Sequence, residues 1–149
     1  AITDEGKLVV ESCLNYPNVK KIKTLVPLGI VFSSPEMAIV GQSYKQLQQA
    51  KVDFVIGYAS YEKQGRALTS GQNQGALEVY IDRKSQKLLG AEIFMSAASH
   101  LAHLLAWMID MEATLEDVIN KPYYHPTLEE GLRTAFKHAR RQLKQLNQD

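Results

Sequence analysis

Hydrophobic positions recur with a helical period at both ends of the chain and with a strand period in the middle. At the amino end, residues 4–14 predict a helix that Thr3 or Asp4 caps and Pro17 closes. The apolar residues sharing one side of this helix are Val9, Val10, Cys13 and Leu14.

The middle of the chain alternates β-rich runs with turn residues, which predicts strands. These runs are Val26–Phe32, Met37–Val40, Val52–Tyr61, Ala76–Ile81 and Leu88–Met95. Ser43 is expected to cap a short helix over 44–50, and Gly57 marks a candidate β-bulge. The last two runs are expected to form an antiparallel hairpin whose first strand exposes Glu78 and Tyr80.

Three helices are predicted after the strands. Residues 97–111 are apolar on nearly every side, so both sides should be buried, and another subunit can supply the second cover. Thr114 caps the next helix, over 114–120, and the last runs from Thr127 to about Leu146 with acidic residues first and basic residues later. This element order predicts an α+β domain, an antiparallel sheet covered by helices.

Composition and charge narrow the function classes. The chain has 149 residues with a formal net charge of +1, so no whole-domain field attracts nucleic acid or an anionic membrane. The single cysteine, Cys13, excludes an internal disulfide framework and is expected to be buried as a small apolar residue. The basic segment 20–23 is interpreted as a solvated connector. With no visible signal peptide or membrane span, the sequence predicts a cytoplasmic protein.

Few residues are candidates for site chemistry. The sequence contains no G-x-G-x-x-G, no phosphate-binding P-loop and no C-x-x-C. His100 and His103 are three residues apart on one predicted helix, but no nearby carboxylate or cysteine completes a metal site. We therefore predict no metal, with one of these histidines at the edge of the core and the other in solvent.

The segment from Tyr123 to Glu130 (YYHPTLEE) supports two interpretations. Thr127-x-x-Glu130 has the spacing of a capping box, and on spacing alone capping is favoured over catalysis. The same geometry would let Glu130 hold one ring nitrogen of His125, whose other nitrogen would then serve as a general base. Pro126 restrains His125 to an extended backbone, and the bond between them is a candidate cis peptide.

The pattern H-P-T-x-x-E resembles the end of the pyridine nucleotide–disulfide oxidoreductases, which include dihydrolipoamide dehydrogenase, glutathione reductase and mercuric reductase. The chain resembles the dihydrolipoamide dehydrogenase type in particular, and the similarity runs from about Val26 to Ala139. Four further matches precede this pattern in the chain, in the family's order. They are VFSSPEMAIVG (31–41), GRAL (65–68), KLLGAEI (87–93) and ATLED (113–117). The helix beginning Asp4-Glu5-Gly6 resembles the last helix of the family's FAD domain, which predicts a boundary between residues 1–24 and the dimerisation domain, 25–149.

The resemblance implies a function that depends on two subunits. The domain would form a homodimer, in which His125, oriented by Glu130, completes the partner's active site by taking a proton from a dithiol such as dihydrolipoamide. The backbone of His125 and Pro126 would approach the partner's flavin. FAD, NAD and the redox cysteines would belong to upstream domains, so this chain alone is expected to hold no cofactor and to turn nothing over.

Tyr123 departs from the family pattern, because dihydrolipoamide dehydrogenases often have a histidine there (H-x-H-P-T). The substrate therefore stays open among dihydrolipoamide, another dithiol, mercuric ion and nicotinamide transhydrogenation. Retention of His125 favours a thiol. The alternative from another class is a dimerisation or assembly module without catalysis, which the absence of every cofactor motif favours.

Overall fold

The predicted strand regions form one antiparallel sheet in the computed structural model, which describes residues 2–19 and 24–146. The strands are β1 (Leu28–Val31), β2 (Glu36–Gly41), β3 (Phe54–Ser60), β4 (Gly75–Asp82) and β5 (Leu88–Met95). Their spatial order is β1-β2-β5-β4-β3, and every neighbouring pair is antiparallel. The predicted α+β class and the β4–β5 hairpin are therefore confirmed.

Most helices begin and end near the predicted residues. They are α1 (Ile2–Leu14), α2 (Tyr44–Gln49), α3 (Gly65–Thr69), α4 (Ala98–Asp110), α5 (Leu115–Ile119) and α6 (Glu130–Leu146). Ser43 caps α2 and Thr114 caps α5, each in a complete capping box, as predicted. The sequence did not predict α3, and α6 begins at Glu130 rather than at Thr127.

Helices α4 and α6 cover one face of the sheet and enclose the core. Alternate residues of the central strands face these helices, because successive side chains of a strand point to opposite faces. The buried residues of this face are Ala38 and Val40 in β2, Val55 and Ala59 in β3, Leu77, Val79 and Ile81 in β4, and Leu88, Ala91, Ile93 and Met95 in β5. Helix α4 packs mainly on β2 and β5, whereas α6 packs mainly on the edge strand β3.

Gly57 serves a close helix–strand crossing rather than the predicted bulge. Its strand pairs with β4 in continuous register through Gly57 and Val79, and the irregularity lies in the pairing of β4 with β5, where Tyr80 pairs with Gly90 and Ile81 with Leu88. A Cβ atom at Gly57 would lie 2.3 Å from the carbonyl oxygen of Ala135 in α6. Only glycine therefore lets α6 sit this close to β3.

Burial differs from prediction at Cys13, at Tyr80 and at one of the two histidines of α4. Cys13 is exposed, because the side of α1 that carries it is uncovered. His100 and His103 are both exposed, because α4 buries only the side that packs on the sheet. Tyr80 is fully buried rather than exposed, since the rings of Tyr44 and Phe54 cover it.

Some predictions concern residues that the structure does not describe. The basic segment 20–23 lies outside the described residues, as do the side chains of Thr3 and Asp4. The backbone of α1 begins at Ile2, so Thr3 and Asp4 lie within the helix rather than before it. Among the described residues, no helix combines the length and the apolar character that a membrane crossing requires.

Candidate active site around His125 and Glu130

The loop between α5 and α6 carries the candidate site and is anchored by Arg133. The Arg133 Nε donates to the carbonyl of Ile119 at 3.1 Å, and its Nη2 donates to the carbonyl of Lys121 at 3.2 Å. Its guanidinium carbon lies 4.7 Å from the ring centroid of Tyr123, a cation–π contact. The loop therefore starts from a fixed position at the end of α5.

Tyr123, the residue at which this chain departs from the pattern it resembles, turns away from the candidate site. Its hydroxyl donates to the carbonyl of Val118 at 3.1 Å, and its half-buried ring lies under Arg133. Burial raises the pKa of the Tyr123 hydroxyl, so this group stays a donor at neutral pH. The neighbouring Tyr124 is 85% exposed. Tyr123 thus has a structural role in this chain.

His125 and Glu130 meet, as the candidate catalytic interpretation requires. The Nδ1 atom of His125 lies 2.9 Å from Oε1 of Glu130. The His125 side chain is 80% exposed, whereas that of Glu130 is 31% exposed. The peptide bond between His125 and Pro126 is cis, as the sequence suggested. The imidazole is therefore held at one nitrogen and open to solvent elsewhere.

The Glu130 carboxylate stays ionised at neutral pH. The Thr127 amide donates to its Oε2 at 3.0 Å, and this bond is the largest cause that lowers the pKa of Glu130. The hydrogen bond from His125 lowers the Glu130 pKa further. An ionised carboxylate that accepts from two donors is a fixed acceptor for the imidazole.

This geometry sets the tautomer of His125. An ionised carboxylate can only accept hydrogen bonds, so the proton of the neutral imidazole must be on Nδ1. The lone pair is then on Nε2, which no group bonds among residues 2–19 and 24–146. An exposed imidazole with this tautomer can take a proton from a group that approaches Nε2.

The predicted capping box at Thr127 forms only in part. Glu130 reaches back to the Thr127 amide as predicted, but the Thr127 hydroxyl donates to the carbonyl of Tyr124 at 2.8 Å instead of capping Glu130. The two interpretations of Glu130 are therefore compatible, because one carboxylate oxygen caps the turn while the other holds His125.

Sequence reasoning missed two further residues at this site, Tyr61 and Gln64. The Tyr61 hydroxyl donates to the carbonyl of Leu128 at 2.9 Å, and the Gln64 amide donates to the carbonyl of Thr127 at 2.5 Å. They lie more than sixty positions from the loop in sequence. The quoted GRAL match begins directly after Gln64 and was the only signal nearby.

No metal centre accompanies the site within the part of the chain that the structure describes. No group of three or more histidine, cysteine, aspartate or glutamate side chains there is placed to hold a metal ion. His103 Nδ1 lies 2.6 Å from the carbonyl of Ser99, which ties that ring to its own helix.

The family is evident from comparison with known proteins. The family model described as pyridine nucleotide-disulphide oxidoreductase, dimerisation domain, matches residues 28–136, most of the chain. The chain belongs to this family. The match begins at β1 and ends within α6, so it includes the sheet, the core and the His125–Glu130 segment.

The chain is similar to part of two different curated enzymes. Over 91% of its length, the chain is 41% identical to a dihydrolipoyl dehydrogenase of Halobacterium salinarum. Over 91% of its length, it is 27% identical to a soluble pyridine nucleotide transhydrogenase of Vibrio cholerae. It spans 28% of the first relative and 29% of the second. The dimerisation domain is thus a fraction of each whole enzyme.

The same fold occurs in a solved structure of a flavoprotein disulfide reductase. The HOCl-induced flavoprotein disulfide reductase of Escherichia coli matches 90% of this chain with a TM-score of 0.77 and 19% identity. The match covers 31% of that structure's chain. This likeness confirms the fold of the domain.

Proposed function

We propose that this domain supplies an acid–base pair, His125 and Glu130, to a dithiol–disulfide exchange of the dihydrolipoamide dehydrogenase type. The observation that carries the proposal is the 2.9 Å contact between His125 Nδ1 and Glu130 Oε1 on an imidazole that is 80% exposed. The pair lacks an electrophile, which must come from outside the described residues.

The partner in this proposal is a second copy of the same protein. A dimerisation domain implies a subunit partner, and α4 offers a surface for one. Trp107, on the outer side of this helix, is 60% exposed, and Met111, directly after the helix ends, is 71% exposed. An isologous contact between two α4 helices would bury these side chains. His125 would then serve the active site of the partner.

The proposed chemistry is a proton transfer followed by thiol–disulfide exchange. Nε2 of His125 takes the proton of one thiol of the dithiol substrate, and Glu130 stabilises the imidazolium that forms. The substrate thiolate attacks a disulfide of the enzyme, forming a mixed disulfide and releasing one enzyme thiolate. The second substrate thiol then displaces the other enzyme sulfur, which leaves an oxidised substrate and a reduced enzyme dithiol.

FAD and NAD belong to this proposal as cofactors of other domains. This chain contains no dinucleotide fingerprint, so we assign no cofactor site to it beyond the backbone of His125 and Pro126. When bound, FAD would receive the electron pair of the enzyme dithiol and pass it to NAD. Residues 1–24 are proposed to be the last helix and linker of the FAD domain, which explains the uncovered apolar side of α1.

The substrate proposed first is dihydrolipoamide, since a dihydrolipoyl dehydrogenase is the relative with 41% identity. The second candidate is nicotinamide transhydrogenation, which the Vibrio cholerae relative favours. It needs no base at His125, because hydride rather than thiol chemistry is involved. A cytoplasmic location stays a prediction.

Replacing His125 by glutamine in the full-length protein tests the proposal. We expect lipoamide-dependent NADH formation to fall by about 10²- to 10⁴-fold, the usual contribution of a general base. Transfer of hydride from NADH to a dye acceptor, which needs no thiol base, is the control and should be nearly unchanged.

Near-normal dithiol oxidation by the His125→Gln protein would contradict the proposed role. If the wild-type protein instead transferred hydride between nicotinamides and ignored dithiols, the second candidate would be correct. Sedimentation of the same protein checks the subunit partner, since a monomer would leave His125 without a site to complete.

A further inference from the structure

The connection between β3 and α3 contacts the candidate site from the side opposite to solvent. Tyr61 directly follows β3, and Gln64 directly precedes α3. Both side chains donate to consecutive backbone carbonyls of the site loop, Tyr61 to Leu128 at 2.9 Å and Gln64 to Thr127 at 2.5 Å. Two distant residues thus bind the stretch of backbone that joins His125 to Glu130.

The bound stretch is the one that orients the Glu130 carboxylate. The amide of Thr127 donates to Oε2 of Glu130 at 3.0 Å, while the carbonyl of the same residue accepts from Gln64. Thr127 is therefore held at both its amide and its carbonyl. Rotation of this residue would separate its amide from Glu130 and change the angle at which Oε1 meets His125.

Tyr61 leaves the first turn of α6 no freedom to shift towards the core. Its side chain is fully buried, and a Cβ atom at Gly131 would lie 2.1 Å from its hydroxyl oxygen. Burial also raises the pKa of the Tyr61 hydroxyl far above neutrality, so the group stays a donor. The turn that begins with Glu130 is thus seated directly on this ring.

We infer that Tyr61 and Gln64 are positioning residues for the His125–Glu130 pair. They do not reach the substrate side of the imidazole, and they act through the backbone of Thr127 and Leu128. Their value for catalysis rests on the proposed function, but the geometry that they maintain can be measured without any activity.

Gln64 has a second bond that the test must separate from the first. Its Oε1 accepts from the amide of Ala67 at 2.7 Å and so caps α3. Serine is a favoured N-cap residue but is too short to reach Thr127. Gln64→Ser therefore keeps the cap and removes the bond to the site loop. Tyr61→Phe removes only the hydroxyl and leaves the ring against Gly131.

The experiment uses nuclear magnetic resonance on the 149-residue chain and three of its variants, two at the site and one control. The pKa of the Glu130 carboxylate and the ring ¹⁵N shifts of His125 are measured in wild type, Tyr61→Phe and Gln64→Ser. Tyr80→Phe is the matched control, because it removes a fully buried hydroxyl, bonded to Glu78 at 3.3 Å, on the other face of the sheet. Thermal unfolding of each variant reports stability separately.

We expect both site variants to raise the Glu130 pKa towards its ordinary value and to shift the neutral His125 ring away from the Nδ1–H tautomer. Tyr80→Phe should change neither, even where it lowers the melting temperature as much. If Tyr61→Phe and Gln64→Ser lower stability and leave both signals at wild-type values, the inference is wrong. If one variant fails to fold, the other decides. A normal rate in the His125→Gln protein would overturn the proposed function but not this result.

Discussion

Two segments with the same pattern, threonine followed three residues later by an acid, begin neighbouring helices with different results. At α5 the box is complete: the Thr114 amide donates to Asp117 Oδ2 at 2.9 Å, and the Asp117 amide donates to the Thr114 hydroxyl at 3.3 Å. At α6 the Thr127 amide still donates to Glu130, but the Thr127 hydroxyl donates to Tyr124 instead. At the start of α5 the threonine and the acid bond to each other, whereas at the start of α6 one carboxylate oxygen of Glu130 bonds to His125.

The difference arises from the surroundings of the pattern and not from the pattern itself. Glutamate is one methylene longer than aspartate, so Glu130 can reach both the Thr127 amide and the imidazole. The turn before α6 is also fixed from outside by Tyr61 and Gln64. A helix start whose backbone is held by distant residues does not need its own threonine hydroxyl and can use its acid elsewhere.

The largest expected contrast is in the rate of dithiol oxidation, between the variants Glu130→Gln and Asp117→Asn. In the full-length protein Glu130→Gln should lower dithiol oxidation by roughly 10- to 100-fold, by analogy with carboxylates that orient metal-binding imidazoles. Asp117→Asn makes the same chemical change at the closed box and should leave the rate unchanged. Steady-state kinetics of both variants checks this.

Equal losses in the two variants would mean that helix capping, and not orientation of His125, accounts for the effect. A loss smaller than that of His125→Gln is also expected, because an unoriented imidazole can still accept a proton. A Glu130→Gln protein with the wild-type rate would leave Glu130 with capping as its only role.

The sequence predicted the sheet well because period-two burial is a local signal. In β4, Leu77, Val79 and Ile81 face the helices as their alternation predicted. His125 and Glu130 were found because both lie in one short segment and resemble a family motif. The prediction that Tyr80 is exposed was wrong, because Tyr44 and Phe54 cover its ring and their positions depend on the tertiary fold.

Residues that support the site from a distance could not be predicted from their own surroundings in sequence. Tyr61 follows a strand and resembles an ordinary strand-end aromatic, and Gln64 lies among polar residues. Their partners are backbone carbonyls, which leave no trace in the sequence of the loop. Helix α3 was missed because a five-residue helix is too short to show a period, and its N-cap is Gln64 rather than a favoured capping residue such as Ser43 of α2 or Thr114 of α5.

The next expected contrast is in the free energy of unfolding, between alanine substitutions at two helical glycines. Gly131→Ala would place a Cβ atom 2.1 Å from the Tyr61 hydroxyl, so we expect overpacking to destabilise the fold by about 1–3 kcal/mol. Gly65→Ala, in α3, meets nothing within 4 Å and should be neutral or stabilising by up to about 1 kcal/mol from helix propensity. Urea unfolding of both variants measures the difference, and a stable Gly131→Ala protein would show that Tyr61 can move.

The smallest expected contrast is in the pKa of the two acids, measured in two threonine-to-alanine variants. The pKa of both acids is lowered, but the causes differ: the Thr114 hydroxyl is the largest cause at Asp117, and the Thr127 amide is the largest cause at Glu130. Alanine removes a hydroxyl and keeps an amide. Thr114→Ala should therefore raise the Asp117 pKa, whereas Thr127→Ala should leave the Glu130 pKa nearly unchanged. Carboxylate ¹³C shifts during a titration measure both.

The sign of the stability change follows from these directions. A carboxyl with a lowered pKa in the folded state stabilises the fold above its ordinary pKa, and this contribution is lost as pH falls through the lowered value. The ordinary values are 3.8 for Asp117 and 4.5 for Glu130. The destabilisation caused by Thr114→Ala should therefore shrink as pH falls below 3.8 and through the lowered pKa of wild-type Asp117, because below that lowered pKa Asp117 is protonated in wild type as well. The destabilisation caused by Thr127→Ala should not depend on pH, since its hydroxyl donates to a carbonyl and does not affect Glu130. Parallel pH dependence in the two variants would mean that the helix starts are equivalent and that the second box is closed in solution.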